Sequence, residues 1–104
     1  MAELDEIIHQ PPRLRIMAAL NALPAGTGLE FVRLKKLTGA TDGNLGAHIE
    51  TLARAGYVTV DKAFVGKKPQ TTVTLAGPGR AAFARHVAGL QEIIAGAAAK
   101  PPEP

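Results

Sequence analysis

"TDGNLGAHIETLARAGYV", residues Thr41 to Val58, decides how the rest of the chain is read. Leu45, Ile49 and Leu52 recur at the i, i+4, i+7 spacing of one helical face. Thr41 is a residue type that caps helix N-termini, and Asp42 suits the positive end of the helix dipole. Gly56 is a strong C-terminal stop. The stretch therefore predicts a helix from Asp42 to about Ala55. Its other face carries Asn44, Ala47, His48 and Thr51, and it contains Gly43 and Gly46. Each interior glycine costs a helix about 1 kcal/mol against alanine. A small, polar face kept on a helix so weakened calls for a reason.

After Gly56 the period changes. "YVTVDKAF" (57–64) and "QTTVTL" (70–75) alternate β-branched and aromatic residues, the pattern of strands. Val58 and Val60 share a face in the first, Val73 and Leu75 in the second. Between them "VGKKP" (65–69) is a glycine-containing turn with two lysines, so the pair reads as a β-hairpin with a basic tip. A last helix is expected from about Gly79 to Ala98. In it Phe83, Val87, Leu90, Ile94 and Ala97 are spaced 4, 3, 4 and 3, a short heptad seam. Such a seam suits self-association or packing onto its own domain. "KPPEP" (100–104) reads as a frayed tail.

Upstream of the opening stretch, "VRLKKL" (32–37) reads as a short helix with Leu34 and Leu37 inward and Arg33, Lys35 and Lys36 outward. Gly39 stops it. "LEF" (29–31) suits a brief strand, and "PAGTG" (24–28) ends a helix from about Pro12 to Leu23. Proline is tolerated in a first turn, so Pro11 and Pro12 fit there. This helix is apolar nearly all round, which implies cover on two sides. Leu4, Ile7 and Ile8 suit a short helical segment before it. The expected architecture is α+β and mainly helical: helix, short strand, two helices, hairpin, helix. One domain would span residues 1–98, and 99–104 would form a flexible tail.

Composition narrows the function. The chain of 104 residues is long enough for one packed domain, and its 46% hydrophobic content supports a core. With only 4% aromatic residues, aliphatic side chains must fill that core. The chain has no serine and no cysteine, so neither nucleophile is available, nor is a disulfide or thiolate metal site. No paired carboxylates and no phosphate-binding glycine loop stand out, so no enzyme and no cofactor are expected. His9, His48 and His86 are far apart in sequence, which gives no metal site. The acidic start "MAELDEII" and the lack of a long apolar run predict neither signal peptide nor membrane span, and a cytoplasmic protein.

Charge is unevenly placed. Residues 1–31 carry a net −2 and residues 76–104 a net +1. Residues 32–75, with seven basic and three acidic groups, carry +4. A localised basic surface attracts polyanions.

Taken in order, three of these stretches resemble the winged helix-turn-helix of small bacterial and archaeal transcription regulators related to MarR and ArsR. "HQPPRLRIMAAL" (9–20) resembles their first helix. "TDGNLGAHIETLARAGYV" resembles their recognition helix and its entry into the wing. "KAFVGKKPQTTVTLAGPGRAAF" (62–83) resembles the wing and the start of the last helix. Ala76 stands where these proteins often have a capping threonine. The resemblance implies a winged helix-turn-helix with a two-stranded wing and a long C-terminal helix. It also implies a regulator that binds double-stranded DNA as a homodimer on a palindromic site.

In that geometry the second helix of the motif enters the major groove. Asn44 and Ala47 then suit contacts to adenine and to the thymine methyl. Thr41 and Thr51 flank them, and His48 suits either a phosphate contact or the edge of the core. Gly43 and Gly46 would allow close approach to a phosphate or to a neighbouring helix. Arg33, Lys35 and Lys36, with Lys62, Lys67 and Lys68 of the wing, suit the phosphate backbone. Leu14, Met17, Phe83, Val87, Leu90 and Ile94 are the expected dimer contacts. The sequence identifies no small-molecule effector. The alternative is a winged helix used as a protein-interaction module; the basic wing favours DNA.

Overall fold

The computed structural model describes residues 3–99. The order is α1 (Pro11–Asn21), β1 (Gly28–Glu30), α2 (Phe31–Thr38), α3 (Asp42–Arg54), β2 (Val58–Val65), β3 (Lys68–Leu75) and α4 (Gly77–Ala99). The strands form one antiparallel sheet in the order β1-β3-β2. This is the expected α+β arrangement. The expected residues 99–104 of the tail lie outside the described residues, apart from Ala99.

Each α3 boundary has a physical cause that the sequence displays. The Thr41 hydroxyl accepts a hydrogen bond from the Asn44 backbone N–H at 3.2 Å and so caps the helix. At the other end, Gly56 takes a left-handed φ of 80°. Its N–H donates to the Ala53 carbonyl, and the Tyr57 N–H donates to the Leu52 carbonyl, both at 3.0 Å. These are the two bonds of a Schellman stop. Gly39 likewise ends α2 in the left-handed region.

The core gathers apolar residues from every long element. Ile16, Met17 and Leu20 of α1 are fully buried with Leu34 of α2, Leu45 and Leu52 of α3 and Val73 of β3. Helix α1 packs against α2, α3, α4 and β3, the cover that its all-round apolarity demands. Within α2 the inward pair differs from expectation. Leu34 is buried but Leu37 is 51% exposed. Thr38, one full turn after Leu34, is the second buried residue, and its hydroxyl donates to the Leu34 carbonyl at 2.8 Å.

The hairpin turn is tighter than the five residues of "VGKKP". Val65 pairs with Lys68, which leaves Gly66 and Lys67 as a two-residue turn. Gly66 supplies the positive φ, 64°, that such a turn needs at its first position. Strand β1 pairs only with Thr72–Thr74 of β3. The hairpin beyond that point is a two-stranded ribbon, and there Pro69, which lacks an N–H, has no third strand to disturb.

One junction ties these parts together. The Tyr57 carbonyl, directly after the α3 stop, accepts from the Ala76 N–H at 2.9 Å. Ala76 in turn opens α4, its carbonyl accepting from the Arg80 N–H at 2.9 Å. A Cβ on Gly79 would lie 2.0 Å from the Tyr57 carbonyl oxygen, so only glycine lets the first turn of α4 sit this close.

The segment before α1 is a single turn at Glu6–Ile8, not the expected short helix. Asp5 organises it. Its carboxylate accepts from the Ile7 N–H at 2.8 Å, and its backbone N–H donates to His86 Nδ1 at 3.0 Å. The Tyr57 hydroxyl donates to the other Asp5 carboxylate oxygen at 2.5 Å. That bond, with burial, raises the Tyr57 pKa above its ordinary 10.0. His86 is 1% exposed, with the His9 ring centroid 5.4 Å away. Accepting at Nδ1 requires the neutral ring, with its proton on Nε2. Burial and the neighbouring His9 hold the His86 pKa below its ordinary 6.5, while Asp5 opposes them.

This arrangement sets a direction for stability against pH. The unfolded chain binds a proton at His86 as pH falls through 6.5, and the folded chain binds it only at lower pH. Stability contributed by His86 is therefore complete above that range and declines as pH drops through it. Urea unfolding between pH 7.5 and 5 should show a falling midpoint, flattened in His86→Asn. An equal slope in that variant would assign the decline to other groups.

Candidate nucleic-acid interface

Helices α2 and α3 are joined through Gly39–Thr41 and form a helix-turn-helix pair. The apolar face of α3, Leu45, Ile49 and Leu52, is buried in the core. That fixes the opposite face outward. Thr41, Asn44 and Ala47 are exposed on it, and His48 is half-buried. Thr41 and Asn44 are also engaged with each other through the helix cap, which uses the Asn44 backbone and leaves its side-chain amide free of hydrogen bonds among the described residues. Thr51 is half-buried, and its hydroxyl donates back to the Ala47 carbonyl at 3.0 Å. Its donor is thus spent within the helix.

The basic residues divide into two groups. Lys35 forms an ion pair with Asp42 at 2.8 Å, bridging α2 to the first turn of α3. It serves the turn geometry as well as any outside ligand. Arg33 and Lys36 on α2, and Lys62, Lys67 and Lys68 on the hairpin, are exposed and have no ion pair among the described residues. Arg54, at the far end of α3, pairs with Glu50 at 2.5 Å. The acidic groups of α3 are therefore each matched by a cation, while the hairpin lysines are not. Between α3 and the hairpin runs a groove of about 640 Å³, lined by Gly46, Ile49, Glu50 and Ala53 on one side and by Val60, Lys62 and Thr71 on the other, with Phe31 closing it. Sequence reading did not anticipate this groove or the exposure of Phe64 at 75%. The alternation that places Val60, Lys62 and Phe64 on one face was the available signal.

The dimer contacts need correction. Met17 is fully buried and Phe83 is 9% exposed, both within the protein's own core. Each faces inward because α1 is enclosed by α2, α3, α4 and β3, and because the start of α4 is drawn against the Tyr57 backbone. Leu14 and Val87 are half-buried against the same core. Of the expected seam, Leu90 is half-buried and Ile94 is 67% exposed, and Ile93 beside it is also exposed. The first half of the heptad seam thus packs on its own domain and the second half stands clear.

Two helices with an exposed polar face, followed by a hairpin and a long final helix, define a winged helix-turn-helix. The chain belongs to the winged helix DNA-binding domain family, whose family model matches residues 13–94. It is 30% identical over 82 residues to the uncharacterized protein MJ0432 of Methanocaldococcus jannaschii, covering 79% of this chain and 86% of that one. It is also similar in structure to a transcriptional regulator homologue protein from Pyrococcus horikoshii OT3, with a TM-score of 0.78 and 30% identity over 88% of each chain. The hairpin is accordingly the wing. No helix among the described residues is long and apolar enough to cross a membrane.

Gly43 and Gly46 can now be judged by their surroundings. A Cβ on either would meet nothing within 4 Å. No neighbouring helix of the chain therefore requires a glycine at either position. Gly43→Ala and Gly46→Ala should each raise stability by about 0.5–1 kcal/mol, because alanine is the better helix former and the space is open. Chemical denaturation checks this; a loss of stability would point to a contact within the fold.

Proposed function

We propose that the protein is a transcriptional regulator that binds double-stranded DNA sequence-specifically, as a homodimer on a palindromic site. In this it works in the manner of the MarR- and ArsR-type regulators its sequence resembles. The observation that carries the reading is the pairing of an exposed Asn44–Ala47 face on α3 with a wing whose lysines lack acidic partners among the described residues. The family and the Pyrococcus regulator homologue support it.

Each part has a role set by its chemistry. The first turns of α3 enter the major groove, where the Asn44 amide donates to and accepts from adenine and Ala47 packs on a thymine methyl. The exposed Gly43 lets the helix backbone lie close to the phosphates, and the half-buried Gly46 keeps the flank of α3 toward the wing open. Arg33, Lys36, Lys62, Lys67 and Lys68 neutralise phosphates, which adds affinity without sequence information. Lys35 contributes while holding Asp42, and Thr41 fixes the helix start. His48 reaches the backbone from the flank of the helix, and Thr51, its donor spent on Ala47, can act only as an acceptor.

Equilibrium binding to a selected duplex tests this reading. Affinity should fall steeply with salt, and Lys67→Ala should reduce the log–log slope by about one. Asn44→Ala should lose about 1–3 kcal/mol and relax discrimination at one adenine, with the slope unchanged. Salt-independent binding would contradict DNA recognition and favour a protein-interaction module.

For the dimer, the free half of the α4 seam supplies the surface. Leu90, Ile93, Ile94 and Ala97 follow i, i+3, i+4, i+7 along one face beyond the domain core. Sedimentation at micromolar concentration should give a dimer for the parent protein and a monomer for Ile94→Asp, with helical content retained. A monomeric parent protein would overturn the assignment.

A further inference from the structure

Phe64 is 75% exposed, the highest value for any large apolar side chain among the described residues, and the adjacent Val65 is 61% exposed. It lies at the end of the ribbon that projects past the third strand, opposite Pro69 and two residues before the Gly66–Lys67 turn. By strand alternation it shares the face of Val60 and Lys62, and those two residues line the groove beside α3. It belongs to no part of the core cluster. By the same alternation Lys62 shares its face and Lys67 sits in the adjacent turn, while Lys68, opposite Val65, lies on the other face with the hairpin's acid, Asp61.

An apolar tip with unpaired cations on both faces of its ribbon suits a ligand that is anionic at its edges and apolar within. A DNA minor groove has that character, with phosphates on both walls and stacked bases between. Proteins that bind there insert apolar side chains between base steps and unstack them in part. Pro69, directly across from Phe64, is a rigid apolar backing for the ring.

We propose that Phe64 is a wedge: the wing tip enters the minor groove beside the α3 site, and the ring inserts at a base step. The proposal rests on the DNA-binding reading. It adds a source of sequence preference that involves no base-edge hydrogen bond. Pyrimidine–purine steps unstack most readily, so the protein favours TA or CA/TG at the position the wing reaches. The lysines set the depth of entry and the ring reads deformability.

The test uses the full chain and a set of duplexes carrying 2-aminopurine at successive positions across the bound site. Binding should raise fluorescence at one wing-side step, the sign of unstacking. Phe64→Ala should abolish that rise and weaken binding about tenfold. It should leave the salt slope and the melting temperature unchanged, because the lysines remain and the side chain supports no core contact. Phe64→Leu should retain part of both effects. If the parent protein binds the duplex with no unstacked step, or if Phe64→Ala binds and unstacks equally well, the wedge is wrong and the DNA-binding reading stands. If Phe64→Ala instead changes the sedimenting mass, the ring belongs to an interface between copies and the wedge is likewise wrong. If the parent protein binds no duplex even at low salt, the broader reading fails and the wedge with it.

Discussion

The Tyr57 carbonyl is the constraint on which the recognition surface depends. The Schellman stop at Gly56 delivers that carbonyl to the Ala76 N–H, and Gly79 lets α4 begin against it. Three elements are thereby fixed at one point: the end of the recognition helix, the start of the wing and the start of the final helix. The Tyr57 side chain adds a fourth, through Asp5 and His86. A helix that is to read a groove must be held in angle as well as position. Here the burial of Leu45, Ile49 and Leu52 sets which face of α3 points outward, and the Tyr57 junction sets where the wing stands beside it.

Most of this frame was legible in the sequence, because it is built from local signals. Thr41, Gly39, Gly56 and Gly66 mark element ends through capping or a positive φ, effects that act within a few residues. The 3.6 period of α3 and the alternation of the hairpin needed no tertiary information. What escaped was non-local. The seam of α4 is regular along the helix, yet Phe83 and Ile94 differ in exposure because only the first turns of α4 lie over the core. Leu37 was expected inward by residue type, but the turn after Leu34 places Thr38 there. The Asp5–His86 bond spans 81 positions and left no pattern to read.

The candidate site divides in the same way. Its charge was visible as a count, and its exposed lysines follow from it. Pairing was not visible: Lys35 engages Asp42, and Arg54 engages Glu50, so the free positive charge lies further toward the wing than the sequence alone suggests. The two α3 glycines changed in meaning. As residues in a helix they are costs; with open space around both, Gly43 leaves the outer surface of α3 bare and the half-buried Gly46 leaves bare the flank that lines the groove beside the wing.

The central claim is that two copies of this surface read DNA together, and selection of bound sequences from random duplexes tests it most directly. The account predicts a consensus of two inverted half-sites, each with an adenine, whose centres lie about one helical turn, roughly 34 Å, apart. Recovery of sequences no different from the input pool would contradict it.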